Sequence, residues 1–306
     1  MQIEILGAES LGVRGLCCFV KTADRRILID PGVALGYKRQ GLLPHPIQVV
    51  AGEDVRKIIV DRLSDATDVV ISHFHGDHIP LDNANPYQLA LKSVEDMLQH
   101  PHVWMKCERG ETPHVAERRR VLLATLRRPP QACDGQSAGP LAFSEPMPHG
   151  PGHNPMGTVM MTRIQEGSEV FVHASDIWLL ADEPIEQIMK WSPTMLITSG
   201  PAIYRNLSAD ELARARERAL ELARHIAVCI IDHHLLRCRE GIQWLDALRA
   251  ETGGRIICAA DYMKKERRFL ESQRIELYGR FSVPAEWHDR YARETATTET
   301  FRDEAV

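Results

Sequence analysis

The chain has cysteines but no cysteine framework. Seven are present, an odd number, and none stands in a C-x-x-C pair. That spacing excludes both the disulfide lattice of small secreted domains and a thiolate zinc site, and reduced thiols in a cytoplasmic protein are expected. Long hydrophobic runs are missing too, since no stretch approaches the roughly 18 apolar residues needed to cross a bilayer. The opening MQIEILG alternates like a strand and lacks the charged and apolar segments of a signal peptide, so neither secretion nor a membrane anchor is expected. An excess of positive charge is also lacking. The net charge is −5 with histidine neutral, and there is no basic flexible arm, which weighs against a nucleic-acid partner.

What remains is ordinary in bulk and unusual in one residue type. The 306 residues are 44% hydrophobic and 26% charged, enough for a large core without disulfide or metal staples. Histidine stands out: of fourteen, several lie beside Asp, Gly or another His at the ends of apolar runs.

Residues 1–30 read as paired strands, IEIL, LCCFVKT and RRILID, closing at Asp30-Pro31-Gly32. A helix is expected over 53–64, with Val55, Ile58, Ile59 and Leu63 on one face, followed by a buried strand over 68–72. From 79 to 135 the pattern changes to two expected helices, 88–98 and 114–127, closed by Pro129-Pro130 and the glycine-rich DGQSAG. Its apolar content is too thin for a core of its own, so it reads as a helical insertion, a candidate lid, within a single domain spanning 1–306. Strands are expected at 141–148, 158–164, 169–175, 195–198, 226–231 and 255–260. Helices are expected at 183–190, 208–225 and 240–251, with a helical, charged C-terminal region after them. Ser208 and Glu211 form a capping box for the second of these helices. Blocks of strands each followed by helices argue for sheets covered by helices.

The strongest chemical signal is His73-Phe74-His75-Gly76-Asp77-His78, four metal-ligand side chains in six residues at the exit of a buried strand. Side chains two apart in extended backbone point the same way, so His73 and His75 can share one ion. Gly76 permits a sharp turn that can bring Asp77 and His78 to a second ion. Imidazole and carboxylate suit Zn²⁺ first, with Mn²⁺ or Fe as alternatives.

This motif resembles the H-x-H-x-D-H signature of the metallo-β-lactamase superfamily, and the likeness continues in order over roughly residues 1–240. With LGVRG, ILIDPGVALG and IDHHLLR, the layout is similar to a little-characterised branch of predicted metal-dependent hydrolases. The resemblance implies an α/β fold, a four-layer αββα sandwich, with a dinuclear site at the rim between the sheets. It also implies a further His, a bridging Asp and a last His at later strand exits. For the first, His149 ends its strand directly, while His153 fits a P-G-H string; His149 is preferred and His153 stays as the alternative. Asp176, after EVFVHAS, matches the bridging Asp, with a plain helix N-cap as the other reading. His233 is preferred as the last ligand because His233 and Arg237 resemble an H-x-x-x-R arrangement, which would place Arg237 on substrate and leave His234 for proton transfer. Asp30 matches a position that holds a ligand imidazole through its second nitrogen, and His173 is read as similarly supportive or structural.

Together these imply a hydrolase in which two divalent ions activate water against an ester, lactone, thioester or phosphodiester. Asp77 would both ligate and orient the nucleophile. The alternatives are an iron-dependent redox enzyme on the same fold and a metal-binding protein without catalysis. Arg118–Arg120, Arg127 and Arg128 read as a solvated helix face or, alternatively, as the lining of an anionic substrate's entrance. A homo-oligomer is left open.

Overall fold

The computed structural model describes residues 1–150 and 156–304. The first sheet has six strands in sequential order: β1 (Gln2–Gly7), β2 (Cys17–Lys21), β3 (Arg26–Ile29), β4 (Asp68–Ile71), β5 (His102–Met105) and β6 (Gln131–Ala132). The first three pair antiparallel, β2 and β3 through a short turn, and β3 to β6 run parallel. The second sheet contains β7 (Ser137–Ala138) and β8 (Leu141–Phe143). After a small ribbon of β9 (Met147–Pro148) and β10 (Thr158–Val159), it continues with β11 (Thr162–Glu166), β12 (Glu169–His173), β13 (Met195–Thr198), β14 (Val228–Ile231) and β15 (Ile256–Ile257). Its order is β15-β14-β13-β12-β11-β8-β7, parallel from β15 to β12 and antiparallel beyond.

Side-chain alternation sorts the layers. Ile27, Ile29 and Val70 face the second sheet's Ile164, Phe171 and Ile197 in one apolar cluster. Their neighbours Leu28, Val69 and Ile71 face the opposite way and pack with Val55, Ile59 and Leu63 of helix α1 (Pro46–Asp65). Beyond the second sheet lie α3 (Asp182–Trp191), α4 (Ala209–His225) and α5 (Arg239–Glu251), burying Ile185, Ile188, Ala215, Ala219, Leu222, Leu245 and Leu248. The result is helix, sheet, sheet, helix, as expected. Each fully buried aliphatic side chain contributes about 1.5–3 kcal/mol to this sandwich.

Several boundaries differ from the sequence expectations. Helix α1 starts seven residues before the expected 53, capped by His45, whose Nδ1 accepts from the Ile47 amide while Gln48 returns a bond to the cap. The segment 79–135 is less helical than expected. Only two short 3-10 turns, Leu91–Ser93 and Met97–Gln99, occupy the place of the helix 88–98. Strand β5 joins the first sheet beside β4, and α2 (Pro113–Thr125) is the segment's one long helix. The expected strand 255–260 shrinks to β15, because Cys258 already caps a short helix, Ala259–Tyr262.

The sheets hold their exits together through close backbone approaches. A Cβ on Gly32 would lie 2.2 Å from the Ile79 amide nitrogen and 2.3 Å from the His78 carbonyl carbon, so the loop carrying the histidines rests directly on this glycine. Gly32→Ala should lower stability by about 3 kcal/mol in urea denaturation, since rigid backbone must move on both sides. An unchanged midpoint would contradict this packing.

Candidate metal centre

The exits of β3, β4, β12 and β14, together with the residue after β9, converge on one buried point. Three exit residues hold left-handed backbone, which side-chain-bearing residues seldom adopt: Asp30 (φ 50), Ser175 (φ 54) and His233 (φ 54). Such strain clusters where surrounding structure over-determines a site.

The hub is the Asp176 carboxylate, 1% exposed. Its Oδ2 lies 3.0 Å from His234 Nε2, 3.4 Å from those of His78 and His149, and 3.5 Å from that of His73. Its Oδ1 is 3.7 Å from His233 Nε2. Potential ligand atoms of His73, His75, His149 and Asp176 all fall within 4.8 Å of one another; so do those of Asp77, His78 and His233, and those of Asp176, His233 and His234. Every expected ligand at a described position is therefore in this cluster. His153 lies outside the described residues.

Hydrogen bonds behind the rings set tautomers. Asp30 Oδ2 is 2.9 Å from His78 Nδ1 and also accepts from the Ser72 hydroxyl at 2.6 Å. With its proton committed to Asp30, Ser72 Oγ accepts from His73 Nδ1 at 2.9 Å. One carboxylate thus leaves the Nε2 lone pairs of both His78 and His73 directed inward. His173 stands apart: its Nε2 donates to the Leu16 carbonyl at 2.8 Å, tying the two sheets together. Asp232 accepts from Ser10 N, Ser10 Oγ, His233 N and Ala259 N, which fixes the strand end that carries the two final histidines.

Arg237 is buried and engaged. Its Nη2 sits 3.1 Å from Asp77 Oδ2 and 2.8 Å from His233 Nε2, its Nη1 3.1 Å from Tyr204 Oη, and its Nε 3.4 Å from Glu9 Oε2. The Gly15 amide points at His233 Nδ1 from 3.1 Å, and Tyr204 Oη lies 2.9 Å from His234 Nδ1. Sequence reasoning missed Tyr204 and Glu9, which no local pattern marks. Gly15 lay within the noticed LGVRG; its φ of 131 and a Cβ position 2.7 Å from the Asp77 carbonyl oxygen explain the glycine.

The cluster fits a cation. His73 Nε2, both nitrogens of His149 and Asp176 Oδ1 are buried without a hydrogen-bond partner among the described residues. Unpaired polar atoms in a protein interior are costly, and nitrogen and oxygen donors converging on a carboxylate form the ligand set of a divalent metal. The charges agree. Burial disfavours the ionised form of Asp176, yet His78, His234 and His233 outweigh it and hold the pKa well below the carboxylate range. Burial likewise opposes charge on His78, but Asp176 and Asp30 raise its pKa well above that of free imidazole. Burial, with His73 beside it, lowers His75 to about 3, and burial also lowers His149 and His233 far below the imidazole range.

Two solved structures share the architecture. One is an isothiocyanate hydrolase from Delia radicum gut bacteria, 14% identical, with a TM-score of 0.52 over 84% of this chain and 95% of that one. The other is a metal-dependent hydrolase of the β-lactamase superfamily, 14% identical, with a TM-score of 0.51 over 84% and 94%. The likeness is one of fold, and the fold is that of the metallo-β-lactamase superfamily, here carrying a His/Asp cluster able to hold metal. Relatives in sequence narrow the class. The UPF0282 protein of Methanosarcina mazei is 44% identical over 302 residues, 98% of this chain and 99% of its own length, and that of Methanopyrus kandleri is 34% identical over 296 residues, 91% and 99%. The chain belongs to the UPF0282 family. No family model matches it.

Acid should destabilise the metal-free protein. Unfolded imidazoles take up protons near pH 6.5, whereas folded His75, His149, His233, His234 and His173 resist doing so; His78, and Glu9, which burial pushes up to about 8, work in the opposite direction but are outnumbered. The unfolded chain therefore binds more protons just below the imidazole range, and stability is lost as pH falls. The urea midpoint should drop between about pH 8 and about pH 5. A midpoint that rises toward acid would contradict the neutral, buried state of these rings.

Proposed function

We propose that this protein is a metal-dependent hydrolase acting on a small-molecule ester, lactone, thioester or phosphodiester at a dinuclear centre. The observation that carries the reading is the Asp176 carboxylate within reach of five imidazole Nε2 atoms, four of them around one oxygen. His73, His75 and His149 would hold one ion, Asp77 and His78 the other, with Asp176 shared between them. Zn²⁺ suits this donor set first, with Mn²⁺ or Fe next. Such ions supply Lewis acidity, which makes water a usable nucleophile near neutral pH.

The remaining chemistry falls to the protein's own groups. Asp77, anchored by Arg237, is placed to orient the attacking water through its other carboxylate oxygen. Asp30 keeps His73 and His78 in the tautomer that offers Nε2. Between the last two histidines, the contacts favour an exchange of the roles expected from sequence. His234 can donate from Nδ1 to Tyr204 and offer Nε2 toward Asp176. His233 faces the Gly15 amide at Nδ1 and the Arg237 guanidinium 2.8 Å from Nε2, and a cation so close opposes a metal ion there. His234 is thus the better ligand, and His233 is left to move a proton to the leaving group.

Two experiments test this. Metal-loaded protein should hydrolyse at least one substrate in a screen of phosphodiesters, lactones and thioesters. Asp77→Ala should lose that activity by about a hundredfold or more while keeping its circular dichroism. An active Asp77→Ala protein, or no turnover by protein carrying two ions, would overturn the reading. In elemental analysis, His234→Ala should bind one ion where the wild type binds two, while His233→Ala should keep both and turn over slowly; the reverse pattern restores His233 as the ligand.

A further inference from the structure

The arginines of α2 and its C-terminal flank are not equivalent. Arg119 faces Glu108 and the buried carboxylate of Glu111, while Arg120 pairs with Glu117 and Arg127 reaches Asp96 at the surface, so each already has an anionic partner. Arg128 borders a separate cleft. Arg118 alone turns toward the metal centre. Its Nη2 comes within 3.5 Å of where a Cβ on Gly76 would sit, in the turn between His75 and Asp77. It is half-buried, its Nε is buried without a partner, and no hydrogen bond or ion pair of its guanidinium occurs among the described residues. Burial works against its charge, and the nearest compensation is the carboxylate of Asp77. A guanidinium partly withdrawn from water and left unpaired is primed for an anion, because a charge-assisted bond there replaces lost hydration.

The same arginine borders a cleft of about 180 Å³ between α2 and the loop following the histidine motif. Its apolar wall comprises Pro80, Leu81, Leu91, Val121 and Leu122; Asp82 and His114 also border it, and the carboxylate of Glu117 is committed to Arg120. This space admits a short chain rather than a drug-sized ligand, and an apolar wall beside an unpaired guanidinium suits a small amphipathic anion.

We propose that this cleft binds a small amphipathic anion, with a carboxylate or phosphate on Arg118 and a short apolar chain against Leu81, Leu91, Val121 and Leu122. Because Arg118 adjoins the Gly76 turn, the anionic end of the ligand lies beside the loop that carries His75 and Asp77. Calling it substrate rests on the hydrolase reading; the binding itself does not.

The test is calorimetric titration of octanoate, octyl phosphate and octanol into chelator-treated and zinc-loaded protein. At least one of the two anions should bind the metal-free protein about tenfold tighter than octanol, and the tighter of the two identifies the headgroup. Arg118→Gln should weaken that binding about tenfold, whereas Arg127→Gln, which loses the same charge from the flank of the same helix and whose partner Asp96 lies outside the cleft, should leave it unchanged. Val121→Trp should block the cleft with the circular dichroism retained. The proposal is overturned if the anions bind only when zinc is present, if Arg118→Gln binds like wild type, or if Arg127→Gln weakens binding as much as Arg118→Gln. Each of these results can arise whether or not the protein hydrolyses anything, so the two readings fail separately.

Discussion

A carboxylate almost without solvent contact, surrounded by imidazoles, is the constraint on which the rest of this molecule depends. Asp176 cannot be buried as an anion unless positive charge or hydrogen-bond donors surround it. The five histidines around it come from three separate stretches of chain: the motif at 73–78, the residue after β9 and the end of β14. No local interaction would bring them together. The two sheets do so by burying their apolar faces against each other, which aligns the strand ends at one rim.

That alignment is held by polar contacts behind the first ring of side chains. Asp30 serves His78 directly and His73 through Ser72, while Asp232 gathers donors from Ser10, His233 and Ala259. Left-handed backbone at Asp30, Ser175 and His233 costs of order 1–3 kcal/mol at each position and is tolerated because buried strands lead into all three. The energy spent on folding therefore appears as preorganisation: the donor atoms already converge, and a metal would meet little rearrangement.

Much of this was legible in the sequence because the chemistry sits at strand exits. A run such as DVVIS followed by HFHGDH announces both the strand and the cluster, and ILID and EVFVHASD do the same for Asp30 and Asp176. Strand β5 was not legible: four residues following a proline, with an exposed His102 at their head, show no alternation until β4 pairs with them. The start of α1 hid behind a histidine cap, a residue type with little N-cap preference. Tyr204 and Gly15 enter the site only through tertiary contacts. The basic run of α2 illustrates the same limit. Its charge pattern suits a solvated face, and only packing distinguishes Arg118 from its paired neighbours.

The fold, the histidine ring and the inward-facing arginine describe one arrangement: a buried anion hub, metal donors around it, and a polar-ended cleft beside it. Its central claim is that Asp176 lies between two metal ions. Anomalous diffraction from crystals grown with zinc tests that most directly. The account predicts two anomalous peaks flanking the Asp176 carboxylate, one beside His73, His75 and His149 and the other beside Asp77 and His78. A single peak, or peaks lying away from Asp176, would contradict it.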